Sequence, residues 1–333
     1  MKGNTAMSKN RISRRRITAA LAAAALSPTF ARAQQHYPSR PVRFVLPFAP
    51  AGIADITARV AAEKLGDKLG QRFVVENQPG PGGIAAARAV LSQSVDGYTI
   101  GLVTNGTSIS AAIYKALPFD PVKEFATVSA IGYFDLVFAS NMESEFRTMT
   151  DFINAARAQP GRLNVGTINV GGTQNLAAEL LKASAGLNVQ IIPYRGTPDV
   201  IVALLRNDVQ LMVDFYAPMK ATLQDRKIRP LASSRRERSP FLPDVPTVAE
   251  AGVPGYEVTS WNGIFVRVGT PAEIVDLLNK AIHEVVAMPD VKQRYADFGI
   301  EAKASTPEEL KARLVADIGK WAAVIERAGI PKQ

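Results

Sequence analysis

From Tyr37 onward the chain switches between two hydrophobic periods. Residues 42–46, with Phe44, Val45 and Leu46 in succession, read as a buried strand. Pro47, Pro50 and Gly52 punctuate a turn. Ile56, Val60 and Leu65 then recur at near-helical spacing over 55–69, until Gly70 stops the run. Residues 73–76 make a second strand, Gly80-Pro81-Gly82-Gly83 opens a helix to about Ser92, and residues 97–103 make a third strand ending in the loop Thr104-Asn105-Gly106-Thr107. This βαβαβ series predicts a parallel sheet with helices on both faces. Such sheets bind ligands beyond the carboxyl ends of their strands, where Ala51-Gly52 and the Thr104 loop fall. A strand, a loop of small residues and a helix start leave backbone N–H groups aimed at an anion. The loop 47–55 is therefore read as half of a site for a small carboxylate.

A long apolar strand at 128–139 is expected to carry the chain into a second domain. There a helix starts at Asp151 and Phe152 and ends near Gly161, a strand follows at 163–166, and the loop 167–173 leads into a helix over 174–185. Strands at 189–193, 209–215 and 229–232 and a helix from Thr197-Pro198 to about Leu205 complete the series. The two halves overlay residue by residue. Ala51-Gly52-Ile53-Ala54-Asp55-Ile56-Thr57-Ala58 sets Gly52 on Gly172, Asp55 on Asn175, Ile56 on Leu176 and Ala58 on Ala178. Two such loops facing each other make a cleft with a positive helix end on each wall. Prolines at 240, 243, 246 and 254 mark the return, and residues 258–268 read as a strand. Thr270-Pro271-Ala272-Glu273 and Ser305-Thr306-Pro307-Glu308-Glu309 both read as capping-box helix starts with Pro at N1. The closing helices, through Trp321, are expected to cover the first domain.

The first 33 residues change the charge picture. Arg11, Arg14, Arg15 and Arg16 precede an apolar, alanine-rich run at 17–26, and Ala31-Arg32-Ala33 is a small-x-small cleavage site before Gln34. The run is too short to span a membrane, and Ser13-Arg14-Arg15-Arg16-Ile17 also resembles a twin-arginine signal. This segment holds seven of the 39 Lys and Arg and none of the 30 Asp and Glu, so without it the formal net charge falls from +9 to +2. The basic balance thus gives no support to nucleic-acid binding. There is no cysteine and there are two histidines, His36 beside the cleavage site and His283 in a predicted helix. Thiol nucleophiles and Cys-ligated metals are excluded, and no HExxH, Ser–His–Asp set or phosphate-binding GxxxxGK[ST] is present. No catalytic residue, metal or cofactor is called for.

Several motifs stand in order: Tyr37-Pro38-Ser39-Arg40-Pro41-Val42-Arg43, Pro47-Phe48-Ala49-Pro50, Val75-Glu76-Asn77-Gln78-Pro79-Gly80, Asp96-Gly97-Tyr98-Thr99, Pro193-Tyr194-Arg195-Gly196, Pro243-Asp244-Val245-Pro246-Thr247 with Glu250-Ala251-Gly252, and Gly255-Tyr256. From Tyr37 to about Gln333 the chain resembles the Bug family, the periplasmic receptors of tripartite tricarboxylate transporters. The resemblance implies a type II periplasmic-binding-protein fold, α/β, with two Rossmann-like domains and the ligand cleft between them. It implies a di- or tricarboxylate, acidic amino acid or aromatic acid as ligand, held by main-chain N–H groups of the loop Pro47 to Asp55. It also implies delivery to inner-membrane transporter subunits. The expected organisation is a signal peptide at 1–33 cleaved after Ala33, a first domain of 37–138 plus 259–333, and a second of 139–258, acting as a monomer in the periplasm. The chain departs from the family pattern in four places. Ala51 stands where a second glycine is usual, and, being costly at positive φ, it is expected to adjust the turn or stay at negative φ. Asn175 stands where a His is frequent, Tyr194-Arg195-Gly196 where Tyr-Lys-Gly is frequent, and Val213-Asp214-Phe215-Tyr216 where Phe-Asp-Asn is frequent.

The candidate ligand-binding residues follow. Gly52 and Ala54 supply N–H groups, with Ala51 and Ile53 beside them in the same loop, and Phe48 either packs on the ligand skeleton or joins the core. Thr104 and Thr107 offer hydroxyls from the third-strand loop. Thr167, Asn169 and Thr173 do so from the second domain, beside Gly171 and Gly172. Asp55 is expected to cap its helix; if it or Asp214 pointed inward, it would suit an ammonium or neutral polar group. Phe215 and Tyr216 add aromatic surface. Arg195 is equally a partner for a second carboxylate or part of a surface turn, and Arg235-Arg236-Glu237-Arg238 reads as a solvated face. The alternatives to a transport receptor are a receptor that signals ligand occupancy to a partner and, less well supported, an exported α/β hydrolase.

Overall fold

The computed structural model describes residues 37–168 and 170–333, together with Gly3. The leader and cleavage site read at 1–33, and Asn169, lie outside the described residues. In chain order the first elements are β1 (Val42–Leu46), α1 (Ile53–Leu69), β2 (Phe73–Asn77), a 3-10 turn (Pro81–Gly83) running into α2 (Ile84–Leu91), β3 (Thr99–Thr104), α3 (Asn105–Ile113), the short α4 (Pro121–Glu124) and the 17-residue β4 (Phe125–Asn141). Then come α5 (Met149–Ala158), β5 (Asn164–Ile168), α6 (Thr173–Ala185), β6 (Gln190–Tyr194), α7 (Thr197–Leu205), β7 (Leu211–Phe215), α8 (Tyr216–Gln224) and β8 (Ile228–Ser233). The return is built from β9 (Thr259–Arg267), α9 (Ala272–Ala287), α10 (Pro289–Ala296), β10 (Ile300–Glu301) and α11 (Pro307–Arg327).

The strands join in the order β2-β1-β3-β9-β4-β7-β5-β6, with β8 and β10 also pairing with β4. β1 lies parallel to β2 and β3, and β5 lies parallel to β6 and β7, as the two βαβ series predict. The antiparallel strands β9 and β4 link these two parallel sets. β4 changes partners along its length. Phe125 to Asp135 pair with β9, and Leu136 to Asn141 pair with β7 and β8. Beyond that switch its side chains alternate as a pleated strand must. Leu136 and Phe138 enter a core with Phe152, Leu181 and Trp321, while Val137 and Ala139 enter another with Leu204, Val209 and Met219.

Two expectations about the closing helices are corrected. The start at Thr306 forms as read: Thr306 Oγ1 accepts from Glu309 N and Glu309 Oε2 from Thr306 N. The start at Thr270 does not, because the Thr270 hydroxyl donates instead to Arg267 O at 2.7 Å and Pro271 takes the cap position. Nor does α11 cover one half alone. Leu310 and Leu314 pack with Val45, Val103 and Trp261, whereas Trp321, Val324 and Ile325 pack with Phe138, Phe152 and Leu181. A 21-residue helix is about 30 Å long, enough to join both parallel sets along one flank.

Candidate functional site

The two overlaid loops have the same backbone. Ala51 sits at φ +69° and Gly171 at φ +75°. The N-caps that follow, Gly52 at φ −80°, ψ 170° and Gly172 at φ −75°, ψ 165°, are both extended. Ala51 N donates to Asp55 Oδ2 at 3.0 Å, and Gly171 N donates to Asn175 Oδ1 at 3.0 Å. Ala51 therefore does not stay at negative φ. The Asp55 bond and the helix beginning two residues later hold it left-handed, at the φ that Gly171 adopts in the second loop. No side chain caps either helix. The first N–H groups of each, which have no intrahelical acceptor, remain available at the positive end of the helix.

Between these ends lies a cleft of about 960 Å³. Of the sequence-predicted residues, Phe48, Ala51, Gly52, Ile53, Ala54, Thr104, Thr107, Gly171, Gly172, Thr173, Asp214 and Phe215 line it. Asp55 does not. It is buried behind the loop, where Oδ2 also accepts from Arg59 Nε at 2.9 Å and Oδ1 from Asn77 Nδ2 at 2.9 Å. Burial pushes its carboxyl up, but Arg59, the Ala51 N–H and the Asn77 amide outweigh that and hold it below the usual carboxylate range. Asp55 thus braces the loop and is not the helix cap. Thr167 is also corrected: it is fully buried behind the second loop, facing Asn175 Nδ2 at 3.4 Å. Arg195 lies with Arg206 and Asp208 in a separate outer groove, and Tyr216 stacks on Phe241. Arg235 is no solvated surface residue, since it pairs with Asp135 at 3.3 Å and with Glu301.

Thr104-Asn105-Gly106-Thr107 is not a loop but the start of α3. Thr107 Oγ1 accepts from Thr104 N at 3.1 Å, and Gly106 and Thr107 face the cleft. The helices α1, α3, α6, α7 and α8 all present first-turn or capping residues to the same space. Asp214 belongs to this polar wall. Its Oδ1 accepts from Gln174 Nε2 at 2.8 Å and from Phe215 N at 2.7 Å, and its Oδ2 accepts from the Thr197 hydroxyl. Burial raises its pKa against those three bonds. Among the described lining residues there is no Arg, Lys or His.

Sequence reasoning missed the back of the cleft. Phe134 on β4 and Ser260 and Asn262 on β9 line it, with Phe134 edge-on to Phe215 at 5.1 Å between centroids. A signal was present in β9, where Ser260 and Asn262 interrupt an apolar strand two residues apart and so share one face. Gly80 to Gly83, read only as a helix start, also form part of the rim.

A family model described as the tripartite tricarboxylate transporter family receptor matches residues 57–330. A protein encoded in the tcbD-tcbE intergenic region of Pseudomonas sp. (strain P51) is 34% identical over 316 residues, 94% of each chain. The structure of R. palustris Rpa4515 with adipate is similar at 32% identity and a TM-score of 0.75, covering 89% of this chain and 99% of its own. The periplasmic binding protein BugD is similar at 30% identity and a TM-score of 0.73, covering 89% of this chain and all of its own.

Proposed function

This chain belongs to the tripartite tricarboxylate transporter family of receptors, and from that membership we propose that it captures a small carboxylate in the cleft and delivers it to an inner-membrane transporter. Its fold is the type II periplasmic-binding-protein fold, two Rossmann-like α/β parts about a cleft. The single observation that carries the ligand class is the pair of matched, uncapped helix starts at Gly52 and Gly172. Hydrogen bonds from N–H groups to an ionised acceptor contribute roughly 1.5–3 kcal/mol each, so the acid needs no cationic side chain. The similar protein Rpa4515, solved with adipate, supports the same reading.

On this reading the first domain comprises 37–138 plus 259–333 and the second 139–258. The leader is cleaved after Ala33 and the mature receptor works in the periplasm. The ligand contacts are the main-chain N–H groups of Gly52 to Ala54, the Thr104 and Thr107 hydroxyls and, opposite, Gly172 and Thr173, with Ala51 and Gly171 shaping the two loops and Phe48 and Phe215 against the carbon skeleton. The alternative of a signalling receptor uses the same cleft and differs only in its membrane partner.

A thermal-shift screen of organic acids, sugars and cations tests the ligand class. A ligand at 100 times its Kd stabilises by about 2.7 kcal/mol. At least one carboxylate raises the transition if the reading is right; a response to sugars or cations alone refutes it.

A further inference from the structure

Among the described residues, two buried side-chain polar atoms in the cleft have no protein partner. They are Asn262 Nδ2 and Thr104 Oγ1, the latter facing the Thr107 N–H of its capping box but making no hydrogen bond of good geometry to it. Asn262 is 1% exposed and Thr104 4%. The two residues sit directly opposite each other where β3 pairs with β9, and both line the cleft. Their neighbours on the strands are satisfied: Trp261, on the other face of β9, donates Nε1–H to Asp317 at 2.7 Å, and Thr104 N donates to Thr107 Oγ1. An amide donor and a hydroxyl left unpaired at nine-tenths burial carry a desolvation cost, which a partner in the cleft removes. Neither atom carries charge. The surroundings are apolar on several sides, with Ile109, Phe134 and Phe215 among the lining. The helix starts at Gly52 and Gly172, not this pair, hold the unpaired main-chain N–H groups suited to a carboxylate.

We propose that Asn262 and Thr104 form an uncharged polar subsite at the back of the cleft, and that the acid captured here carries, besides its carboxylate, a neutral oxygen (a hydroxyl or a carbonyl) that this pair binds. The inference rests on the carboxylate reading of the cleft and narrows it. Asn262 Nδ2–H donates to the ligand oxygen, and Thr104 Oγ1 donates to it or accepts from its hydroxyl. An acid with hydrogen in place of that oxygen leaves both atoms unpaired, and a site built to hydrogen-bond a substrate oxygen rejects the analogue lacking it more strongly than an apolar pocket rejects an extra methylene.

Titration calorimetry on the purified protein decides it, using hexanoate and 3-phenylpropanoate as parents and their 2-hydroxy, 3-hydroxy and 2-oxo derivatives. At least one derivative is expected to bind tenfold or more tightly than its parent. Asn262→Leu, which keeps the branching of the side chain and removes the donor, is expected to abolish that preference. If Asn262→Leu does not fold, Thr104→Val is expected to cut the preference at least threefold. Equal binding of parents and derivatives, or a preference that survives the variant, overturns the subsite and leaves the carboxylate reading intact. Binding of none of these acids overturns the subsite as proposed, and the thermal-shift screen then decides the carboxylate reading separately.

Discussion

Ala51 shows how much one position in the first cleft loop is asked to tolerate. An L-residue in the left-handed region costs roughly 1–2 kcal/mol, and Ala51 stays there because its N–H is tied to Asp55 and the extended Gly52 follows. Ala51→Gly relieves that strain and loses some of the gain to glycine's greater freedom when unfolded. It is expected to raise stability in urea unfolding by about 0.5–1 kcal/mol with ligand affinity unchanged. Asp55 sets the same loop from behind. Asp55→Asn keeps an acceptor for Ala51 N–H, as Asn175 does for Gly171, and is expected to bind ligand nearly as the parent does. Asp55→Ala strands the Ala51 N–H and the Asn77 amide, and a loss of about 1–3 kcal/mol is expected in the same unfolding measurement.

At the scale of elements, the recognisable motifs build the frame around the cleft more than its lining. Asn77, in the Val-Glu-Asn-Gln-Pro-Gly run, donates to Phe48 O at 3.0 Å as well as to Asp55, and so pins both ends of the first loop. Arg40 pairs with Asp96 and lies 4.1 Å over the Tyr98 ring, and Thr247 with Glu250 exchanges bonds in both directions. These residues were legible because turn and cap chemistry is local. The start of α3 was not, since Thr104-Asn105-Gly106-Thr107 is as good a loop as a helix start by local chemistry. What makes it a helix includes its packing against α11 and the bonds of Asn105. That buried side chain donates to Thr173 Oγ1 at 3.0 Å, across the cleft, and accepts from Trp321 Nε1 at 2.8 Å. Asn105→Ala leaves the indole N–H unpaired and severs the link from α3 to α6. It is expected to destabilise by about 1–3 kcal/mol and to widen the unliganded molecule in solution scattering; an unchanged scattering curve counts against a latch.

At the scale of the molecule, the halves meet where β4 changes partners. Ser234 N donates to Leu136 O, Leu136 N donates to Ser234 Oγ, and Val258 N donates to Ser234 O at 2.7 Å, so the crossing segments are stitched together at one level. Asp135, Arg235 and Glu301 form a largely buried charge cluster at that level. Burial pushes the Asp135 carboxyl up to about 6, against Arg235 and the Ser239 hydroxyl, with Glu301 adding to the rise. Because its folded pKa lies above its ordinary 3.8, Asp135 favours the folded state most below pH 3.8 and loses that contribution as pH rises through about 6. Two pKa units correspond to about 3 kcal/mol. Denaturation from pH 4 to 7 is expected to show the parent losing stability relative to Asp135→Asn over that interval. Parallel pH profiles would show that Asp135 is not the titrating group.

The sequence by itself determined the alternation of strands and helices, the order of the two βαβ series, the repeated Gly-cap loops and the family. All of these rest on local periodicity, turn chemistry or residue-by-residue match. Tertiary structure decided which of the candidate polar side chains face the cleft and which others join them. Asp55 and Thr167, adjacent to the loops in sequence, turn behind them, because a helix and its preceding strand present alternate side chains to opposite faces. Asn262 and Phe134 reach the cleft from strands far away in the chain, because β9 and β4 cross between the halves. That crossing is a long-range pairing which no window of sequence contains.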